Sequence, residues 1–187
     1  YEVAQGLGKP LDVVVVRKLG APGQEELGIG AIAPGDVLVL NNSLVEQLEL
    51  EWQEIETEIQ RESKELDRRL RQYRGERPFP AVAGKTVILV DDGLATGASA
   101  RAAISVLKAM KAGKIVLAVP IGAHSTVSEL RGEVDDLICL EEPTPFLSVS
   151  QGYRYFPQNT DFEVMALLEK LWDENALEKE HAGDVSI

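Results

Sequence analysis

Residues 87–99 read Val-Ile-Leu-Val-Asp-Asp-Gly-Leu-Ala-Thr-Gly-Ala-Ser, and they constrain the fold more than any other part of the chain. The first four side chains are all apolar, which is typical of a central parallel strand that is buried on both faces. Asp91 and Asp92 come where that strand ends, and residues 93–99, apart from Leu94, are small or carry hydroxyl groups. Apolar residues then recur at helical spacing, namely Ala102, Ala103, Val106, Leu107 and Met110. The segment therefore predicts a buried strand, an acidic strand end, a small-residue loop and a helix.

This succession favours a site for a phosphorylated sugar. The N-terminus of a helix carries unpaired N–H groups and a partial positive charge, so a loop that enters it can bind phosphate. Carboxylates do not bind phosphate directly, but Asp91 and Asp92 can accept hydrogen bonds from sugar hydroxyl groups or face a hydrated metal ion. Such acceptors beside a phosphate loop suggest a ribose 5-phosphate. The alternative interpretation is an ordinary strand–loop–helix turn whose acidic residues cap the helix.

Gly84-Lys85-Thr86 matches the end of a second phosphate-binding pattern, the P-loop. The first glycine of that pattern would stand at position 79, which is Phe79. The segment also precedes a predicted strand, whereas a P-loop follows one. We therefore interpret Gly84-Lys85 as a turn.

The composition indicates one globular domain with neither membrane nor nucleic acid as a partner. The chain has 187 residues, of which 44% are hydrophobic and 27% charged, as in soluble domains. No apolar run approaches the ~18 residues that span a membrane. The net charge of −12 disfavours nucleic-acid binding, which needs Lys and Arg to neutralise phosphates. No leader is visible at Tyr1 and the one cysteine, Cys139, predicts no disulfide framework, so we expect a cytoplasmic protein.

Further strands and helices alternate along the chain. Apolar runs predict strands at 11–16, 27–33, 36–40, 114–121 and 137–140, and helical spacing predicts helices at 44–74, 125–131 and 160–172. Turn-forming residues at 19–26 predict a mobile loop, and the polar residues 173–187 predict a flexible tail. The alternation indicates an α/β domain with a mainly parallel sheet flanked by helices. Ligands bind such sheets at the carboxyl ends of the strands, where Asp91 and Asp92 lie.

The long helix at 44–74 has a single apolar stripe. Ser43 and Glu46 have the spacing of a capping box at its start, and Gly75 and Pro78 end it. The stripe fits either against this domain or against a partner chain, so the sequence leaves a homo-oligomer open.

Residues 87–99 resemble the phosphoribosyl pyrophosphate motif of the type I phosphoribosyltransferases, in which four apolar and two acidic residues precede a loop with Thr-Gly and a Ser or Thr. The resemblance implies that Asp91 and Asp92 hold the 2- and 3-hydroxyls of the ribose. It also implies that the 5-phosphate is wrapped by Gly93, Leu94, Ala95, Thr96, Gly97, Ala98 and Ser99. The implied reaction is the displacement of pyrophosphate from C1 of phosphoribosyl pyrophosphate by a nitrogenous, nucleobase-like acceptor, with Mg²⁺ as cofactor.

The resemblance covers residues 1–172 and is strongest to a bacterial group of phosphoribosyltransferases of undefined substrate. That group shares the long inserted helix at 44–74 and the Phe-Pro-Gln-Asn-Thr-Asp segment at 156–161, which belongs to a small C-terminal hood. The family also has an earlier strand that ends in a Pro-Arg-Gly-Gly type loop, and nothing in this sequence matches it. If that strand is absent, the sheet lacks one central member and the site lacks its pyrophosphate-binding half. The alternative is that the strand and its loop belong to the protein and precede Tyr1.

Four more residues are candidates for the site. By the resemblance, Lys18 or Arg17 would neutralise the departing pyrophosphate, although either could be a surface base at a strand end. His124 follows a strand and would lie on the base side, or else only contact the adjacent helix. Tyr153 could stack on a nucleobase, or pack within its own segment.

Three other functions remain open. A non-catalytic regulatory domain would bind phosphoribosyl compounds without consuming them, which the absence of the pyrophosphate loop favours. A structural protein would be built on the long helix and keep only a vestigial site. A hydrolase of phosphorylated sugars is disfavoured because no activated nucleophile pair is evident.

Overall fold

The computed structural model describes residues 1–77 and 80–183, without the side chains of Glu26 and of residues 173–183. Its helices are α1 (Glu2–Leu7), α2 (Asn42–Gln47), α3 (Trp52–Arg74), α4 (Ala98–Ala109), α5 (His124–Leu130) and α6 (Asp161–Gly183), with a 3-10 turn at Val149–Gly152. Its strands are β1 (Arg17–Ala21), β2 (Gln24–Ala33), β3 (Val37–Leu40), β4 (Thr86–Val90), β5 (Lys114–Ile121) and β6 (Asp136–Glu141). In the described part, no helix is long and apolar enough to cross a membrane.

The strands form two three-stranded sheets. Strands β4, β5 and β6 are parallel in that order, which confirms the predicted α/β fold with a parallel sheet. Strands β1, β2 and β3 form a separate antiparallel sheet. The predicted strands at 27–33 and 36–40 are present as the antiparallel pair β2 and β3. The pairing of β1 with β2 was not predicted, because residues 19–26 have the composition of a loop.

Helix α4 lies between the two sheets. Its buried residues Ile104 and Leu107 belong to the same core as Leu117 of β5. On its other side, Ala102 packs with Ala31 of β2 in a second core of mostly small side chains. The helix therefore holds the two sheets together, and its N-terminus is fixed beside the end of β4.

The expectation that β4 is buried on both faces is wrong. Ile88 is 41% exposed and Val90 49% exposed, while Val87 and Leu89 pack against the core beneath α4. Among the described residues, β4 pairs only with β5, so one of its edges has no strand partner. The strand predicted at 11–16 is likewise absent, since these residues form no ladder with another strand.

Residues 19–26, predicted as a mobile loop, form a β-hairpin instead. Strands β1 and β2 pair antiparallel on either side of a turn at Pro22 and Gly23, where Gly23 has a φ of +72°. A Cβ on Gly20 would lie 2.6 Å from the carbonyl oxygen of Glu25, so glycine allows the two strands to approach. The turn-forming residues therefore mark a tight turn.

The helix predicted over 44–74 is present as two helices, α2 and α3. Asn41 rather than Ser43 caps α2, since its side chain accepts a hydrogen bond from the N–H of Leu44. Glu49 then adopts a left-handed φ of 52°, which ends α2, and Glu51 with Glu54 forms the capping box that starts α3.

The apolar stripe of α3 packs within this chain. Ile55, Leu66 and Tyr73 are buried in one core with Leu19 of β1 and Ile29 of β2. Gly75 ends α3 as predicted, whereas Pro78 lies outside the described residues.

The C-terminal helix begins at a capping box and runs further than predicted. The N–H of Glu163 donates to Thr160 Oγ1 at 3.3 Å, and the Glu163 carboxylate accepts from the N–H of Thr160 at 2.7 Å. Helix α6 continues to Gly183, through part of the tail predicted at 173–187. Residues 184–187 lie outside the described residues.

The position of α4 between two sheets predicts that the same substitution lowers stability at one alanine of that helix and not at another. Ala102 is fully buried, so Ala102→Leu should lower the free energy of unfolding by about 1–3 kcal/mol through overpacking. Ala109 is exposed at the end of the same helix, and Ala109→Leu is the matched control. Urea denaturation measures both variants. Equal stability of the two would contradict the packing of α4 on both sheets.

Candidate functional site

The end of β4, the following loop and the start of α4 enclose one cleft of about 180 Å³. It is lined by residues 91–100 and by Val149, so all nine predicted residues from Asp91 to Ser99 lie together. Leu94 anchors the loop, since it is 1% exposed and its N–H donates to the carbonyl of Ile121 at 2.9 Å. The cleft thus lies at the carboxyl end of β4, as the sequence predicts.

Gly97 shapes the entry of the loop into α4. It caps the helix with a φ of +75°, and a Cβ at this position would lie 2.8 Å from Thr126 Cγ2. Both the backbone conformation and the close approach therefore require glycine. Among the described residues, none accepts a hydrogen bond from the N–H of Ala95, Thr96 or Gly97. These N–H groups, with those of the first turn of α4, are available to an anion.

Asp91 and Asp92 are held without a neutralising side chain. Burial and, to a lesser degree, the charge of Asp92 raise the pKa of Asp91 to about 6, although the N–H of Asp92 donates to Asp91 Oδ1 at 3.0 Å. Burial also raises the pKa of Asp92. No Lys or Arg occurs among the described residues that line this cleft. The pair is therefore suited to a ligand that brings hydroxyl donors or a cation.

The C-terminal segment contacts the acidic loop at two points. Tyr153 Oη donates a hydrogen bond to the backbone carbonyl of Asp92 at 2.6 Å. Val149 covers Gly93, where a Cβ would lie 2.7 Å from Val149 Cγ1. The Tyr153 ring also packs on Phe156, with centroids 4.7 Å apart. This segment borders the cleft where the sequence predicts a hood.

Arg17, Lys18 and His124 are not among the residues that line the cleft. Arg17 forms an ion pair with the buried Glu62 of α3, with Nη2 2.6 Å from Oε2. Lys18 is exposed on β1, and its aliphatic chain lies over Gly28. The His124 ring lies 2.7 Å from the Glu142 carboxylate, and its side chain is 79% exposed.

Two residues at the loop were missed by the sequence reasoning. Thr126 Oγ1 donates to the carbonyl of Ala95 at 2.6 Å, and Arg101 Nη1 donates to the carbonyl of Thr96 at 3.0 Å. Thr126 lies on α5, far from the loop in sequence, so no local pattern could indicate its contact.

The raised pKa of Asp91 predicts that its charge weakens the fold at neutral pH. The folded-state pKa of about 6 lies above the ordinary 3.8, so the wild-type protein gains stability as the pH falls through this window. Asp91→Asn should therefore raise the free energy of unfolding by about 1–2 kcal/mol near pH 8, and this advantage should shrink towards about pH 4. Urea titrations at both pH values measure it, with the exposed Asp136→Asn as control. A destabilised Asp91→Asn near pH 8 would contradict the assigned cause of the shift.

Comparisons with known proteins identify the family. A family model described as "Phosphoribosyl transferase domain" matches residues 1–154. Two Mycobacterium tuberculosis proteins, MT0597 and Rv0571c, both named "Putative phosphoribosyl transferase", are 44% identical over 170 residues, which is 91% of this chain. The chain spans 38% of the length of these relatives. The crystal structure of TT1426 from Thermus thermophilus matches with a TM-score of 0.73 and 39% identity, over 91% of this chain and 80% of that one. The chain belongs to the type I phosphoribosyltransferase family.

Proposed function

We propose that this domain transfers ribose 5-phosphate from phosphoribosyl pyrophosphate to a nitrogenous, nucleobase-like acceptor and releases pyrophosphate. Membership of the phosphoribosyltransferase family supports the class of reaction. The observation that carries the proposal is the cleft at residues 91–100. Among the described residues, its two carboxylates have no cationic partner and the N–H groups of residues 95–97 have no acceptor. A ribose 5-phosphate supplies both complements, namely hydroxyl donors and a phosphate.

Binding accounts for most of the proposed mechanism. Asp91 and Asp92 accept hydrogen bonds from the 2- and 3-hydroxyls of the ribose. The loop of residues 93–99 wraps the 5-phosphate, to which the N–H groups of Ala95, Thr96 and Gly97 donate. Thr96 and Ser99 add hydroxyl donors. Fixing the ribose at both ends leaves C1 exposed to the acceptor nitrogen, so that the C1–N bond forms as the C1–O bond to pyrophosphate breaks. The carboxylates also stabilise the positive charge that develops on the ribose ring.

Mg²⁺ fits the donor set of this cleft. It prefers oxygen ligands, and Asp91 and Asp92 offer carboxylate oxygens. The described residues contain no cluster of three acidic, His or Cys side chains that could hold a metal alone, so substrate oxygens would complete the coordination. The ion would neutralise the charge of the departing pyrophosphate.

Lys18 is the protein cation that we assign to the departing pyrophosphate. The family resemblance places this role on Arg17 or Lys18, and the guanidinium of Arg17 forms an ion pair with Glu62 at 2.6 Å. On the acceptor side we assign the Tyr153 segment and, further out, His124. The hydroxyl of Tyr153 is engaged by the Asp92 carbonyl, so only its ring is available to a base.

A non-catalytic phosphoribosyl-binding domain is the second candidate. It is favoured by one observation: Asp91 also borders a second cleft of about 260 Å³, and neither cleft has a Lys or Arg among its described lining residues. Such a domain would bind the sugar phosphate without assisting the release of pyrophosphate. Pyrophosphate formation in the presence of a panel of nucleobases separates the two functions.

The assignment of the ribose hydroxyls predicts that Asp92→Asn weakens binding. The affinity for phosphoribosyl pyrophosphate with Mg²⁺ should fall at least about tenfold, since a hydrogen bond to a charged acceptor contributes about 1.5–3 kcal/mol. Titration calorimetry measures it, and Asp136→Asn, an exposed carboxylate at the start of β6, is the control. Unchanged affinity in Asp92→Asn would exclude this role for the carboxylate.

The assignment of Lys18 to the departing pyrophosphate predicts a loss of rate without a loss of affinity for the ribose phosphate. Lys18→Gln should lower the rate of pyrophosphate release at least about tenfold, because it removes a cation from the developing charge. The affinity for ribose 5-phosphate should not change. Lys85→Gln, an exposed lysine just before β4, is the control, since it lies at the opposite end of that strand. A matching loss in both variants would point to net charge rather than to Lys18.

A further inference from the structure

Three carbonyl groups of the loop at residues 93–99 accept hydrogen bonds from other parts of the protein. The loop carbonyls of residues 94–96 each accept a hydrogen bond from a group outside the cleft. The bonds run from Ala123 N–H to Leu94 O (2.8 Å), from Thr126 Oγ1 to Ala95 O (2.6 Å) and from Arg101 Nη1 to Thr96 O (3.0 Å). Neither Thr126 nor Arg101 lines the cleft. On three consecutive residues, therefore, the backbone carbonyl is bonded to the surrounding protein.

The direction of a carbonyl fixes the direction of the next N–H. In a planar trans peptide, the C=O of one residue and the N–H of the following residue point in opposite directions. The peptide bonds of residues 94–97 are trans. The carbonyl of Ala95 points at Thr126, so the N–H of Thr96 points away from Thr126. The carbonyl of Thr96 points at Arg101, so the N–H of Gly97 points away from the Arg101 guanidinium.

We propose that Thr126 and Arg101 are positioning residues that aim the N–H groups of Thr96 and Gly97 at the bound phosphate. This inference rests on the proposed function of the cleft and names the residues that make it an anion site. Without these two bonds, each peptide unit could rotate and present an acceptor oxygen to the phosphate.

Both donors are themselves fixed. Thr126 is 7% exposed, and its Cγ2 lies against Gly97. Arg101 lies between two carboxylates, with Nη2 2.6 Å from Glu129 and Nε 2.9 Å from Glu133. These carboxylates offset the charge of the guanidinium. Arg101 therefore acts on the loop through its hydrogen bond to the Thr96 carbonyl more than through its positive charge.

Thr126→Val and Thr126→Ser isolate the contribution of the hydroxyl. Valine keeps the shape of threonine and removes the donor, whereas serine keeps the donor. We expect Thr126→Val to bind ribose 5-phosphate about tenfold more weakly than wild type, and Thr126→Ser to stay within about threefold. In ¹H–¹⁵N spectra, the shift that inorganic phosphate induces at the Thr96 amide should be lost in Thr126→Val and kept in Thr126→Ser.

Arg101→Lys tests the second bond separately. Lysine keeps the charge but loses the planar fork, so the phosphate-induced shift at the Gly97 amide should fall while that at Ala95 persists. Arg131→Lys is the matched control, because Arg131 Nη1 donates to the carbonyl of Leu137 at the same 3.0 Å but remote from the loop. Thr57→Val is the control for Thr126→Val, since the Thr57 hydroxyl donates to the Gln53 carbonyl on α3. The same spectra show that each variant is folded.

The outcomes separate this inference from the proposed function. If the wild-type loop amides do not respond to inorganic phosphate or to ribose 5-phosphate, the phosphate site itself is refuted, and the positioning role with it. If they respond equally in wild type, Thr126→Val and Arg101→Lys, the site stands and the positioning role is refuted. If Thr126→Val and Arg101→Lys lose the response while the control variants keep it, the positioning role is supported.

Discussion

The packing of α4 between the two sheets is the constraint on which the site depends. Small side chains such as Ala102 bring the antiparallel sheet close to the helix, while Ile104 and Leu107 fill the core above the parallel sheet. A helix held on both sides cannot shift along its axis without disrupting both cores. Its first turn therefore stays beside the end of β4, where Asp91 and Asp92 emerge.

The cleft combines two electrostatic requirements that oppose each other. The loop and the start of α4 offer N–H groups to an anion, yet the carboxylates of Asp91 and Asp92 adjoin them. Burial makes the charge of Asp91 unfavourable, as its raised pKa shows. A fold selected only for stability would place neutral side chains at both positions. The proposed ligand resolves the conflict, because its hydroxyl groups face the carboxylates while its phosphate faces the N–H groups.

Local features of the site were predictable from the sequence, and contacts between distant segments were not. The strand, the acidic pair, the glycine-containing loop and the helix follow from residues within one short stretch, so residues 91–99 were found together. The engagement of Arg17 by Glu62 and of the loop carbonyls by Arg101 and Thr126 depends on how separate elements pack. The break between α2 and α3 was missed for another reason. Glu49 adopts a left-handed conformation, which is uncommon for glutamate and so is not predictable from the residue type.

The exposed edge of β4 bears on pyrophosphate release, the part of the proposed reaction that the cleft at residues 91–100 does not explain. Val14 and Val16 face Leu89 and Val90 across the second cleft, which meets the first at Asp91 and Ser99. Its described lining is mostly apolar. Among these residues, none offers the pyrophosphate a cation, and only Asp91 and Ser99 carry a hydrogen-bonding side chain. Stabilisation of the leaving group must then come from a mobile cation or from a side chain that reaches in, which is why the proposed mechanism gives that role to Mg²⁺ and Lys18. In the proposed mechanism the fold itself binds the ribose phosphate, whereas pyrophosphate release depends on groups outside the described lining of the two clefts.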